Sequence, residues 1–283
     1  MLHQLSSSEF PAAIESVKKY LPISAPIYYG LKIQLESRFP ELSYTNFAYP
    51  WPNPSCFYLV DSYQNRPMFS HLFVSDPDDL DLMSTFFAFL FDSEKPTYLW
   101  PIQDKVSSFL RNKYKDKVSC VLKHQSEGPK AGMVMFYMTA EQQRLLSKVE
   151  IPAPEGFYFD WLRDSDVEIL DRTWDVEVHS EVTGLKLREM PSVCARESKT
   201  GELAAFEMVG TTGWMNHLFT LPRFRKRGLG KAVEFRLCQK LIEREMMPFK
   251  FVAPDNHIPL NFSYQSPFWT ALDQNVHWMT ADL

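Results

Sequence analysis

Residues 218–231 read L-F-T-L-P-R-F-R-K-R-G-L-G-K, and they limit the possible folds more than any other stretch. A short apolar run, Leu218, Phe219, Thr220 and Leu221, stops at Pro222, and a helical pattern starts at the glycines. Strand, basic loop and helix in that order present unpaired main-chain N–H groups, and the helix dipole favours an anion there. Gly228 and Gly230, on either side of Leu229, remove side chains that would hold a phosphate away from the backbone. Arg225, Lys226, Arg227 and Lys231 add charge that steers and holds a pyrophosphate. The stretch reads as an anion cradle.

Two other glycine-loop patterns fit less well. A dinucleotide fingerprint ends in Gly or Ala where this chain has Val233, although Asp255 downstream suits it and keeps it open. A phosphate loop of the G-x-x-x-x-G-K-[ST] kind has Arg225 in place of its first glycine and Ala232 in place of its hydroxyl residue. The pattern that fits is R-x-x-G-x-G at Arg225, Gly228 and Gly230.

The 283 residues suffice for two ordinary domains or one large one, and 45% hydrophobic content indicates a folded chain. Net charge is −5, while residues 223–231 hold five basic residues and no acid, so the positive patch is local. That balance gives no reason to expect a nucleic-acid partner. Four cysteines without C-x-x-C spacing suggest reduced thiols filling the core, and seven dispersed histidines suggest no metal site. No apolar run approaches the roughly 18 residues of a membrane span, so no membrane association is expected. No secretory signal or clear mitochondrial presequence is visible at the amino terminus.

Along the chain, Ser8 is the expected cap of a first helix that Pro22 ends, and short strands follow at 43–48, 56–60 and 68–74. Helices are expected from Asp76 to Phe91 and from Gln103 to Tyr114, with a strand at 98–100 between them. Strands at 118–123 and 133–138 flank a turn at Gly128-Pro129, and a helix spans 140–148. Ile151 to Gly156, with two prolines, is the expected linker between domains 1–150 and 151–283. The second half begins with a strand at 157–161 and helices at 164–174 and 178–188. Strands at 192–196, 203–209 and 214–221 precede the basic loop. The helix after it carries Leu229, Val233, Leu237 and Leu241 on one stripe. A strand at 249–253 follows, then a helical turn or two interrupted by Pro259. Two edge strands, 268–272 and 276–279, finish an α/β (α+β) chain with a mixed sheet.

The R-x-x-G-x-G loop resembles the acyl-CoA loop of the GCN5-related N-acetyltransferase superfamily. The carboxyl-terminal half is similar, more narrowly, to the glycine N-acyltransferase family. The matching residues are Thr220-Leu221-Pro222, Phe224-Arg225, Gly228-Leu229, Asn256 with Ser263-Tyr264, and Trp278. The first half resembles that family only in length, element order and the strand at Met133–Met138. The resemblance implies two tandem acetyltransferase-like domains, the second holding coenzyme A or an acyl-CoA as co-substrate without a metal. It implies a small amine or amino acid as the other partner, and an intracellular protein, mitochondrial or cytoplasmic. Leu218–Leu221 would lie along the pantetheine arm, 225–231 around the diphosphate, and Asn256 would hydrogen-bond the arm. Tyr264 would protonate the departing thiolate.

One position departs from the family. Its general-base glutamate would stand at residue 214, where this chain has Trp214, and indole takes no proton from an ammonium group. Either the base has moved, or water deprotonates the amine, or the protein binds acyl-CoA without turnover. A tight turn at Gly210–Gly213 would set Val209 against Trp214 and Glu207 against Asn216. Glu207 would then share a face with Trp214 and Asn216 and is the expected relocated base, with a role as structural ion-pair partner as the alternative. His217 is turned to the opposite face unless a bulge intervenes.

Overall fold

A computed structural model describes residues 1–64, 66–93, 98–120, 132–174 and 180–281. The expected strand end at Lys123, the turn at Gly128-Pro129 and the helix start at Val178 lie outside them. The chain divides into two compact units. One comprises Met1–Met135, Val252–Phe262 and Ala271–Leu283, and the other Phe136–Phe251 and Ser263–Thr270. The expected linker, 151–156, lies inside the second.

In the first unit, β1 (His3–Gln4), β2 (Leu42–Tyr49), β3 (Cys56–Tyr63) and β4 (Arg66–Val74) form an antiparallel sheet in that order. Helices α1 (Phe10–Lys18) and α2 (Ala25–Leu35) cover one face; α3 (Leu80–Ser93) and α4 (Asp104–Lys113) cover the other. The period of two along β3 divides its side chains between two cores. Cys56, Tyr58 and Val60 pack with Phe86, Leu90 and Leu110, while Phe57 and Leu59 pack with Ile14 and Leu31. A strand buried on both faces reads as an unbroken apolar run, as here.

Two local expectations change. The amino-terminal cap is Ser6, whose N–H and hydroxyl both donate to Glu9, in place of Ser8. An unexpected helix, α2, follows Pro22; its own Pro26 sits in the first turn, where a missing N–H removes no helical bond. The strands β5 (Tyr98–Gln103) and β6 (Val118–Cys120) pair with β13 (Thr270–Ala281). Met279 is opposite both Leu99 and Cys120, so β13 is one strand bonded on both sides and not two edge strands.

In chain order the remaining elements are β7 (Met133–Tyr137), α5 (Ala140–Leu146), β8 (Phe157–Asp160), α6 (Val167–Arg172), α7 (Ser180–Glu189), β9 (Ser192–Glu197) and β10 (Leu203–Val209). They continue with β11 (Met215–Thr220), α8 (Leu229–Glu243), β12 (Phe249–Val252) and α9 (His257–Gln265). The sheet of the second unit runs β8-β9-β10-β11-β12, antiparallel up to β11 and parallel between β11 and β12. Phe206 and Met208 of β10 pack with Leu162 and Leu170 on the side of α6, and α8 lies on the other side.

Buried Arg196 of β9 donates to Asp160 at 2.8 Å and to Asp166 at 2.6 Å, both also buried. Asp160 keeps a second partner in Arg163, but removal of Arg196 leaves the buried Asp166 carboxylate without a cation, which costs about 3–5 kcal/mol. Arg196→Ala is therefore expected to lower urea-unfolding stability by that amount. A loss under about 1 kcal/mol, the size of an exposed pair, would contradict the assignment.

Candidate functional site

The site starts with a register slip. Val209 pairs with Met215 and Met208 with Asn216, but beyond them Phe206 pairs with Phe219 and Ala205 with Thr220. Glu207 therefore stands opposite two residues, His217 and Leu218, which makes a β-bulge in β11. His217 takes φ +57°, a left-handed conformation that costs a non-glycine residue about 1–3 kcal/mol. The expected pairs, Val209 with Trp214 and Glu207 with Asn216, are out of register by one. The connecting turn closes between Gly210 N–H and Trp214 C=O at 2.8 Å, which adds a residue to the loop.

Beyond the bulge β11 leaves its other neighbour. Among the described residues, the only registered pair between β11 and β12 is Met215 with Lys250, whereas β11 stays bonded to β10 as far as Thr220. The edge from Asn216 to Phe219 faces no partner strand among the described residues. Leu218, Phe219, Thr220 and Leu221 are half-buried. Leu221 N–H closes the strand on Ala204 C=O at 2.9 Å, and Pro222–Phe224 form a single 3-10 turn.

The chain then enters α8 through Lys226 at φ +62° and Gly228 at φ +77°. A Cβ on Gly228 would meet nothing within 4 Å, so the backbone angle demands glycine and the space before it is open. The first turn of the 15-residue α8 opens onto this space. Among the described residues, no main-chain acceptor takes the N–H groups of Gly228, Leu229 or Gly230.

The arginines are braced. Arg225 Nε donates to Thr220 C=O at 3.1 Å, and its guanidinium lies 5.6 Å from the Phe219 ring. Arg227 lies over Phe157 and Phe224, and Arg223 pairs with Glu202. Lys226, Arg227 and Lys231 are exposed and Leu229 is buried. These parts form one continuous feature: an open strand edge leading into a row of free amides flanked by cations.

Glu207 lies on the sealed side of the sheet. It is 2% exposed, and one of its carboxylate oxygens has no partner. Burial first, then the neighbouring Glu234 carboxylate, push its pKa well above the ordinary value, with Lys250 opposing. Lys250 Nζ donates to Glu234 Oε1 at 2.6 Å, and Trp269 Nε1 donates to the same oxygen at 2.7 Å. Sealed on this side of the sheet and packed against the Glu234–Lys250 pair, Glu207 has surroundings that suit the structural role.

Trp214 does not share that face. It packs on Phe251, with ring centroids 6.1 Å apart, and Phe251 alternates along β12 with inward-facing Lys250. Its indole also fills the place of a Gly210 side chain, where a Cβ would come within 2.5 Å of Nε1. Asn216, by register, shares a side with Met208 and not with Glu207.

His217 lies with Phe206 on the α6 side, at a centroid distance of 5.0 Å, and Trp174 packs at 4.4 Å. Its Nε2 is 3.0 Å from Thr173 Oγ1. Burial and the nearby Lys186 lower its pKa to about 4, against opposing pulls from Thr173 and Asp171. The imidazole is thus neutral near pH 7.

Tyr264 is 57% exposed, its ring edge-on to Phe136 at 5.1 Å. Asn256 is exposed and belongs to the first unit; its C=O accepts from Leu260 N–H at 3.2 Å. The structure thus assembles the 218–231 set as one surface and places Glu207 behind it. Sequence reasoning missed the Glu234–Lys250–Trp269 group. Its signal was a glutamate in line with Leu237, Cys238 and Leu241 at helical spacing, where the apolar stripe is broken by a charge.

A family model described as FR47-like protein matches residues 192–262, from β9 into α9. No curated protein matches the chain. Among solved structures, a Drosophila protein aligns with a TM-score of 0.77 at 14% identity, over 99% of this chain and 98% of its own. A tandem GNAT protein from the clavulanic acid biosynthesis pathway aligns with a TM-score of 0.59 at 13% identity, over 100% and 98%. A GCN5-related N-acetyltransferase from Sphaerobacter thermophilus gives 0.57 at 12% identity, over 99% and 95%. The chain has the mixed α/β fold of tandem GCN5-related N-acetyltransferases.

The state of Glu207 is open to measurement. An acid whose folded pKa exceeds its unfolded value stabilises the fold fully below about pH 4.5 and loses that contribution as pH rises toward the folded value. Glu207→Gln stays neutral throughout. Urea midpoints of the variant should therefore gain on wild type as pH rises from about 5 to 8.5. A constant or shrinking gap would show that Glu207 is ionised.

Proposed function

We propose that this protein is an acyl-CoA-dependent N-acyltransferase that passes an acyl group from the thioester directly to the amine of an amino acid. The observation that carries the reading is the parting of β11 from β12 after one pair, with the freed edge running into the unbonded amides of α8. An extended arm bearing amides can add to such an edge as a strand would. A diphosphate at the end of the arm finds the helix amides and the flanking Arg225, Lys226, Arg227 and Lys231. Coenzyme A has this combination: pantetheine for the edge and a diphosphate for the cradle.

The FR47-like match over this segment and the fold of the structural neighbours support the same chemistry. Neither bears on the acceptor; the amino acid is inferred from the resemblance in 220–264. In the proposed complex Leu218–Leu221 line the arm, Gly228–Gly230 hold the diphosphate, and Tyr264 and Asn256 are the residues to test as thiolate acid and arm ligand. The attack itself requires an unprotonated amine beside the thioester carbon, with the thiolate as leaving group.

Two measurements test the reading. Acetyl-CoA titrated calorimetrically should bind wild type, and Gly228→Val should weaken it about tenfold, since a branched residue resists the left-handed angle by about 1–2 kcal/mol. Thiol release from acetyl-CoA should then require an added amino acid from a panel including glycine, glutamine and phenylalanine. Tight binding with no thiol release from any acceptor would make the protein an acyl-CoA binder and not a transferase. Equal affinity of Gly228→Val would place the diphosphate elsewhere.

A further inference from the structure

We propose that His217 is the proton acceptor for the incoming amine, an assignment that rests on the transferase reading above. The bulge puts its Cα at the point where β11 turns from β12, and the left-handed angle there is a strain that an ordinary strand residue does not carry. Strain of this kind is retained where the side chain's direction matters.

The hydrogen bonds fix the tautomer. Thr173 Oγ1 lies 2.8 Å from Ile169 C=O and 3.0 Å from Leu170 C=O, pure acceptors that take its one hydroxyl proton. The contact at 3.0 Å between Thr173 Oγ1 and His217 Nε2 is then made by Nε2–H donating. In that tautomer Nδ1 carries the lone pair. Trp174 and Phe206 wall the ring on two sides and hold its plane.

Among the described residues, the charges facing the ring are Lys186 on α7 and Asp171 on α6; Asp171 is occupied by Ser180 at 2.5 Å and Thr183 at 2.8 Å. Burial first, and then Lys186, disfavour the cation, so the imidazole rests neutral and is protonated only as the reaction supplies the proton. Attack by the neutral amine forms the C–N bond and makes the nitrogen strongly acidic. Nδ1 takes that proton, the C–S bond breaks with its electron pair leaving on sulfur, the thiolate takes a proton from Tyr264, and the imidazolium returns its proton through water to the tyrosinate. Amide and free coenzyme A thiol result, and the enzyme is restored. A base that is weak in the resting enzyme suffices, because the nitrogen is acidic only after attack.

The test uses His217→Asn, because asparagine tolerates the left-handed angle that histidine now holds. Acetyl-CoA affinity by calorimetry should equal that of wild type, while acyl transfer to the best acceptor of the panel falls about 100-fold or more. Added imidazole should restore part of the lost rate in the variant and leave wild type unmoved, a response that a packing role would not give. Transfer within about threefold of wild type, or a loss that imidazole does not relieve, would overturn the assignment of His217 and leave the transferase reading standing. Wild type that binds acetyl-CoA and transfers to no acceptor would overturn both.

Discussion

A buried ion pair holds the proposed cradle in place. Glu234 on α8 is fully buried, Lys250 on β12 nearly so, and their contact at 2.6 Å joins the helix that offers amides to the strand from which β11 departs. Lys250 is also the β12 partner in the single β11–β12 pair. One residue therefore fixes both where the strands meet and where the helix lies over them. Trp269 completes the arrangement, donating its indole N–H to Glu234 and lying 4.5 Å from the ammonium of Lys250. Well-packed apolar side chains would satisfy stability as well as such a pair does. What an apolar contact lacks is direction, and an open strand edge tolerates little sliding between helix and sheet.

The same cluster decides what Glu207 can do. Two carboxylates and one ammonium in a dry space leave one negative charge too many, and burial with the Glu234 carboxylate raises the pKa of Glu207, the acid without an ion-pair partner. A glutamate next to the strand proposed to bind the arm is thereby sealed as a spacer. The bulge it faces has the opposite effect on His217, whose ring lies between Trp174 and Phe206 on the α6 side. Facing positions on a bulged ladder thus acquire separate surroundings: Glu207 is sealed against a second carboxylate, and the imidazole of His217 is held neutral between two aromatic rings.

Much of this was legible in the sequence, and the failures share a cause. The strand, basic loop and helix at 218–231 were readable because each signal is local: proline, glycine and a 3.6-residue stripe. The alternation in β3 was readable as an apolar run because both faces are buried. The off-by-one register of Glu207 was not readable, since a bulge is a long-range compromise that leaves no required residue type; histidine at φ +57° looks like any strand histidine. Nor was β13 readable as one strand. Asp273, Gln274 and Asn275 interrupt its apolar pattern, but pairing from both sides at Met279 supplies what propensity lacks. Helix α2 was hidden by Pro22 and Pro26, whose usual meaning as breakers reverses in a first turn.

The charge of the loop clarifies why an open strand edge is needed at all. Arg223 is held by Glu202, Arg225 reaches back to the end of its own strand, and Arg227 rests on two phenylalanine rings. Bracing of this kind keeps the guanidinium groups extended and lowers the entropy lost on meeting an anion, but it divides their attraction among existing partners. On a chain of net charge −5, a braced cradle by itself gives a weak and unselective phosphate site. In the proposed complex a ligand that joins its anion to an amide-bearing arm engages the cradle and the edge of β11 together, and the second contact forms at the high effective concentration set by the first. Selectivity then comes from the distance between the edge and the first turn of α8, which the Glu234–Lys250 pair maintains.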